Sequence, residues 1–201
     1  GSGRQLMRST MALVVAFSGC RMTELAQMRR SDIIQDAFRT VIQTKVKKGK
    51  KVRSFEIIFK RKDDVCCAAK AIELWLIDKD CTKRNDVGIW LDFEKKRTLG
   101  SIGCSKELKI IIMDAGVSKE YAGSTIRHSM MTDLRSKGAT KVEVNEFTRH
   151  APGSDCCDIF YFKPTEKRDM EAMILEKVST PTTSQSTMPG QEALTFGGNS
   201  S

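Results

Sequence analysis

The side chains of this 201-residue sequence that are best suited to chemistry are few: Arg21 and Arg127, His128 and His150, Tyr121 and Tyr161, and a lysine run around Lys48. A guanidinium offers a planar fork that can grip two phosphate oxygens while staying protonated. A phenol, with an ordinary pKa of about 10, is a poor nucleophile at neutral pH and needs cationic neighbours to favour its phenolate. A lysine ammonium is a flexible cation that can contact phosphates or deliver a proton. Each residue type also has a plainer reading. An arginine at a helix start is commonly a surface residue, a lone histidine a structural one, and Tyr161, between Phe160 and Phe162, a core aromatic.

Charge narrows the partner. Between Arg29 and Lys62 twelve Lys or Arg face only Asp32, Asp36 and Glu56, an excess equal to the +9 net charge of the whole chain. Clustered cations are the footprint of a polyanion, because each one placed on a phosphate releases condensed counterions. Nucleic acid is the leading partner, and a merely solvated charged face is the alternative. The seven cysteines include the adjacent pairs Cys66-Cys67 and Cys156-Cys157 but no C-x-x-C, so neither a disulfide framework nor a zinc site is expected. No metal or other cofactor is expected, and a reducing, intracellular compartment fits best. The longest apolar run, Met11 to Phe17, is far short of the roughly 18 residues that span a bilayer.

The elements that must position these groups are mixed α+β, mainly helical. Residues 6–17 read as a buried helix stopped by Ser18-Gly19, and Thr23 as the cap of a short helix over 24–29 with Leu25 and Met28 inward. Segments 38–45 and 52–59, rich in β-branched and aromatic residues, form a basic hairpin around Lys47-Lys48-Gly49-Lys50. Helices are expected over 65–78, 104–114, 124–137 and 141–148, with Gly116 and Gly138 as stops. A turn at Ala151-Pro152-Gly153-Ser154, a strand-like stretch at 159–162 and an amphipathic helix over 166–178 follow. Residues 1–3 read as an expression scar, 4–178 as one domain, and 179–201, dominated by small and polar residues, as a disordered tail.

The phrase Ser18-Gly19-Cys20-Arg21-Met22-Thr23-Glu24-Leu25, followed by Asp32-Ile33, resembles the first box of the tyrosine recombinase (phage integrase) family. A second phrase, Thr125-Ile126-Arg127-His128-Ser129 with Gly138 and His150 downstream, resembles that family's H-x-x-R-H helix and its later histidine. The resemblance covers about residues 6–162, and its specificity lies in the ordered set. It implies a tyrosine recombinase catalytic-domain fold with a small antiparallel sheet. It further implies that Arg21, Arg127 and His150 stabilise a pentacoordinate phosphorane while Tyr161 attacks a DNA phosphodiester. Glu24 would help to hold the site. Lys48 would protonate the leaving 5′ oxygen, with Lys47 and Lys50 as alternatives. The product would be a 3′ phosphotyrosine, reversed by a second 5′ hydroxyl in site-specific recombination or integration, as in a transposable element.

Three departures stand out. Ser124 occupies the position of the family's first histidine, Arg149 stands where glycine is usual, and Tyr161 lies eleven residues beyond His150. The family's amino-terminal helical domain is not among these residues, which reads as an excised or truncated catalytic domain. The resemblance implies double-stranded DNA as the partner and self-association on it, with residues 166–178 either packing on a neighbouring protomer or covering their own core. Two other outcomes remain open: a descendant that only binds DNA, to which Ser124 points, and a relaxing activity like that of type IB topoisomerases.

Overall fold

The computed structural model describes residues 2–48, 51–151, 153–155, 158 and 159, apart from the side chains of Lys47 and Lys48. Most of the strand-like stretch at 159–162, the helix over 166–178 and the tail lie outside the described residues.

Apolar side chains at helical spacing explain the central element. In α1 (Gly3–Ser18) Met7, Met11, Val14 and Val15 are fully buried. Thr10 lies among them because its hydroxyl reaches the Leu6 and Ala71 carbonyls at 2.8 and 3.2 Å, tying α1 to the helix it packs on. The helix starts earlier than the periodicity predicts. Gly3, which the sequence placed outside the fold, forms its first turn, with the Ser2 carbonyl accepting from the amides of Gln5 and Leu6.

A short α2 (Met22–Ala26) and a 3₁₀ turn (Arg30–Asp32) lead into a three-stranded antiparallel sheet in the order β1 (Ile33–Gln35), β2 (Arg39–Lys48), β3 (Lys51–Lys60). The cap of α2 is Arg21 rather than Thr23, because the Glu24 carboxylate reaches back to the Arg21 amide. The register Ile33–Ile42–Ile57 puts one apolar row on the core, where Ile42 and Ile57 are buried. At the other end, Lys48 pairs with Lys51, and β3 is exposed on both faces from Lys51 to Ser54. The hairpin is anchored at its base while its basic end leaves the core.

Helix α3 (Ala68–Ile77) is shorter than the expected 65–78. Val65 is completely exposed, since Asp64 turns the chain by accepting from the Cys66 amide and, through its carbonyl, the Cys67 amide. Leu74 and Ile77, apolar residues of the same expected helix, are exposed. Ile72, Trp75 and Leu76 do pack inward, and Trp75 stacks on Trp90 at 6.5 Å between ring centroids. Trp90 in turn donates to the Leu25 carbonyl at 2.7 Å, which fixes α2 from below. The two-residue strands β4 (Leu91–Asp92) and β5 (Arg97–Thr98) close the connector.

Three helices complete the described part: α4 (Ser101–Asp114), α5 (Thr125–Ser136) and α6 (Lys141–Phe147). The buried Glu107 of α4 takes Arg4 and Arg8 of α1 at 2.7 and 2.6 Å. Gly116 and Gly138 follow α4 and α5 at φ of 84° and 93°, as the left-handed stop of a helix requires. At the start of α6, Thr140 and Glu143 form a reciprocal capping box. No helix among the described residues is long and apolar enough to cross a membrane.

Candidate phosphate-binding site

The site begins where α1 must stop. Gly19 is left-handed (φ 58°), and its amide returns to the Val15 carbonyl at 2.8 Å. A Cβ there would lie 2.6 Å from Met130 Cε and 2.9 Å from Thr148 Cγ2, so backbone conformation and space both demand glycine. The turn presents the Gly19 carbonyl to Arg127 Nη1 and, two residues on, sets Arg21 at the head of α2.

Arg127 arrives from the first turn of α5. That turn is pressed against α4, for a Cβ on Gly123 would sit 2.7 Å from the Ser105 carbonyl oxygen and 2.8 Å from Leu108 Cβ. The Arg127 side chain is buried, and its Nη2 lies 3.2 Å from His150 Nε2. His150 Nδ1 is 2.8 Å from Thr148 Oγ1, while the Thr148 hydroxyl is 2.6 Å from the Val144 carbonyl oxygen. A carbonyl can only accept, so the hydroxyl proton goes to Val144 and Oγ1 must accept from His150 Nδ1–H. By this assignment the neutral imidazole is the Nδ1–H tautomer and turns its Nε2 lone pair toward Arg127. The His150 amide also donates to the Asn145 carbonyl at 2.8 Å, which closes the end of α6 around the ring.

Arg21 is the more open arginine, with a third of its side chain accessible, and its Nη1 donates to Glu24 Oε1 at 2.7 Å. Glu24 is almost wholly buried, and its Oε2 accepts from Arg149 Nη2 at 2.9 Å and Nε at 3.2 Å. Burial alone would push the Glu24 carboxyl up, but the charges and hydrogen bonds of Arg149 and Arg21 outweigh it and hold the carboxyl below its ordinary range. Cys20, enclosed beside these groups, has its thiol pushed up to about 11 by burial.

Two cavities flank the basic hairpin. One, of about 630 Å³, is lined by Arg21, Thr23, Glu24, Gln27, Lys45, Val46 and Val52. The other, of about 510 Å³, is lined by Lys51, Arg53, Phe55, Val142, Glu146, His150 and Ala151. The cations of the exposed hairpin end therefore share cavities with both Arg21 and His150. Such a surface of buried, fixed donors with exposed cations beside it can bind a phosphodiester and stabilise charge that develops on its oxygens.

Of the residues singled out in the sequence, Arg21, Glu24, Arg127 and His150 are brought together. Lys48 ends β2, but its side chain, together with Lys50 and Tyr161, lies outside the described residues. Tyr121 is exposed in the loop before α5, His128 is exposed, and Ser124 is half-buried at the α5 cap. Sequence reasoning missed Thr148 as the partner of the imidazole, and Lys45, Lys51 and Arg53 as cavity residues. It noted Arg149 only as an oddity. A bulky residue where a turn calls for glycine was the available signal.

No family model matches the chain, and no curated protein matches it in sequence. Solved structures do. The chain is similar to the XerH site-specific recombinase bound to palindromic difH substrate in a post-cleavage complex, with a TM-score of 0.65 at 22% identity over 88% of this chain and 47% of that one. It is also similar to the Tn1549 transposon integrase in complex with circular intermediate DNA, with a TM-score of 0.55 at 11% identity over 85% of this chain and 59% of that one. A lambda integrase dimer bound to a COC′ core site gives a TM-score of 0.51 at 16% identity, over 82% of this chain and 55% of that one. The chain thus spans about half the length of the proteins it matches. At these identities the agreement is one of architecture, and the architecture is that of the tyrosine recombinase catalytic domain.

Proposed function

We propose that residues 4–178 form the catalytic domain of a tyrosine recombinase that breaks and rejoins DNA in site-specific recombination or integration, as part of a mobile element. The observation that carries this reading is the convergence of Arg127, His150 and the Arg21–Glu24 pair around the Gly19 turn, although they come from segments more than a hundred residues apart. That the structural neighbours are recombinases and integrases on DNA supports it.

In this mechanism Arg21 and Arg127 grip the nonbridging oxygens of the scissile phosphate. His150, held by Thr148, adds a third contact: as the imidazolium, with Nε2 protonated and turned from Arg127 to the phosphate, the ring donates to the oxygen. The Tyr161 phenolate oxygen attacks phosphorus, the bond to the 5′ oxygen breaks, and a hairpin lysine gives that oxygen its proton. Lys48 is the first choice for this acid, with Lys47 and Lys50 beside it in sequence. The 3′ phosphotyrosine conserves the phosphodiester bond, so attack by another 5′ hydroxyl reverses the step on a new strand. The protein acts on DNA inside the cell and self-associates there through residues 166–178, while 179–201 is a tail outside the catalytic unit.

The test is covalent trapping. The chain is mixed with a pool of nicked duplexes of randomised sequence, beside Tyr161→Phe. A denaturant-resistant protein–DNA adduct that the variant does not form supports the reading. A second reading, a descendant that binds DNA without cutting it, is favoured by Ser124 in place of the family's histidine. Salt-sensitive DNA binding without any adduct would select it.

A further inference from the structure

Arg149 breaks two rules at once. Its backbone is left-handed at φ 61°, a conformation that side-chain-bearing residues rarely adopt and glycine takes freely. Its guanidinium is also buried, only 6% exposed, and removing a charge from water is expensive unless partners repay it. Glycine would avoid both costs. An outlier of this kind beside a candidate site points to a role in that site.

The bonding of Arg149 defines the role. Its five N–H groups make five hydrogen bonds: Nε and one Nη2 proton to Glu24 Oε2, the other Nη2 proton and one Nη1 proton to the Ser18 carbonyl, and the last Nη1 proton to the Phe147 carbonyl. With every donor committed to the protein, Arg149 has none to offer a phosphate. It acts through what it holds. Ser18 immediately precedes Gly19, whose carbonyl holds Arg127, and Glu24 holds Arg21.

Charge makes the consequence specific. Arg21 and Glu24 alone would be a neutral pair, and an entering phosphate would meet an arginine already cancelled by a buried carboxylate. With Arg149 on the far oxygen of Glu24, the three groups carry a net positive charge, and the accessible part of it is Arg21. We propose that Arg149 is a positioning residue of the phosphate clamp, which by occupying Glu24 fixes Arg21 in place and leaves the Arg21 charge available to a DNA phosphate. This rests on the phosphate-clamp reading above.

The experiment compares Arg149→Gly, Glu24→Gln and the double variant with the parent chain. The readouts are the single-turnover rate of adduct formation on saturating nicked duplex, the equilibrium affinity for a duplex, and thermal melting. Arg149→Gly is expected to slow adduct formation about tenfold or more at saturating DNA. Adding Glu24→Gln, which removes the carboxylate charge that Arg149 offsets, is expected to recover at least about threefold of that lost rate. A purely structural arginine predicts the reverse, since the double variant loses two buried contacts rather than one. A double variant as slow as the single, or an Arg149→Gly chain as fast as the parent, overturns the proposal. Should Arg149→Gly not fold, Arg149→Asn, which tolerates the left-handed backbone but removes the charge, takes its place: it should slow adduct formation about tenfold, and a rate within about threefold of the parent at intact melting overturns the proposal. If the parent itself forms no adduct, the cutting reading fails alone. The same comparison is then read in duplex affinity, where recovery in the double variant supports the proposal and no recovery overturns it.

Discussion

The clamp around Gly19 and the end of the basic hairpin are both cationic, yet they are built in opposite ways. Arg127 and Arg149 are buried, and His150 is held through both ring nitrogens. At the hairpin end Lys51 and Arg53 stand on a strand exposed on both faces. Fixed donors in a partly dry site cost little to reorganise as charge develops, so they suit a transition state. Exposed cations on a projecting ribbon suit contact with many phosphates, where counterion release gives affinity with little geometric demand. Under the proposed function, the difference gives rate to the clamp and affinity to the hairpin.

The largest test of that division is Arg127→Ala. It removes the group joining the Gly19 carbonyl to His150, and a loss of about a hundredfold to a thousandfold in single-turnover adduct formation is expected, with duplex affinity far less affected. Next comes Thr148→Val, which keeps the shape but removes the acceptor of His150 Nδ1–H. About a tenfold slower adduct formation is expected, read at unchanged duplex affinity. On the other side of the comparison, Lys51→Ala and Arg53→Ala should leave the rate at saturating DNA nearly intact. Each should weaken binding and reduce the slope of log affinity against log salt by about 0.9 in a titration of ionic strength. Equal losses of rate from clamp and hairpin variants would erase the distinction.

Acid gives a smaller effect with a definite sign. Because the folded Glu24 carboxyl is held below its ordinary range, its contribution to stability is present above the unfolded value and is lost as pH falls through the folded one. The parent should therefore lose melting temperature on acidification more steeply than Glu24→Gln. The smallest effect is chemical. Cys20, buried in the clamp with its thiol raised to about 11, should resist alkylation at neutral pH while exposed Cys66 reacts, as peptide mapping after labelling would show.

Much of the fold was legible because its signals are local. The stop at Gly19, the hairpin, and the glycines after α4 and α5 each depend on a few neighbouring residues. Where tertiary context decides, local pattern failed. Val65 reads as the first apolar residue of a helix, but the Asp64 turn expels it. The strands β1, β4 and β5, at three, two and two residues, are too short for any periodicity to mark. The same holds for the site. Arg21, Arg127 and His150 sit in recognisable phrases, whereas the Glu24–Arg149 pair joins residues 125 apart and only the folded chain reveals it.

The central claim is that this clamp serves attack by Tyr161, and one measurement addresses it directly. Nicked duplexes carrying a label on the strand segment 5′ to the scissile phosphate are incubated with the chain, the adduct is digested, and the nucleotide-bearing peptide is sequenced by mass spectrometry. Attack by Tyr161 leaves a 3′ phosphate linked to the peptide that contains it, and this product is lost in Arg127→Ala. Linkage to Tyr121, or salt-sensitive binding with no covalent product at all, would contradict it.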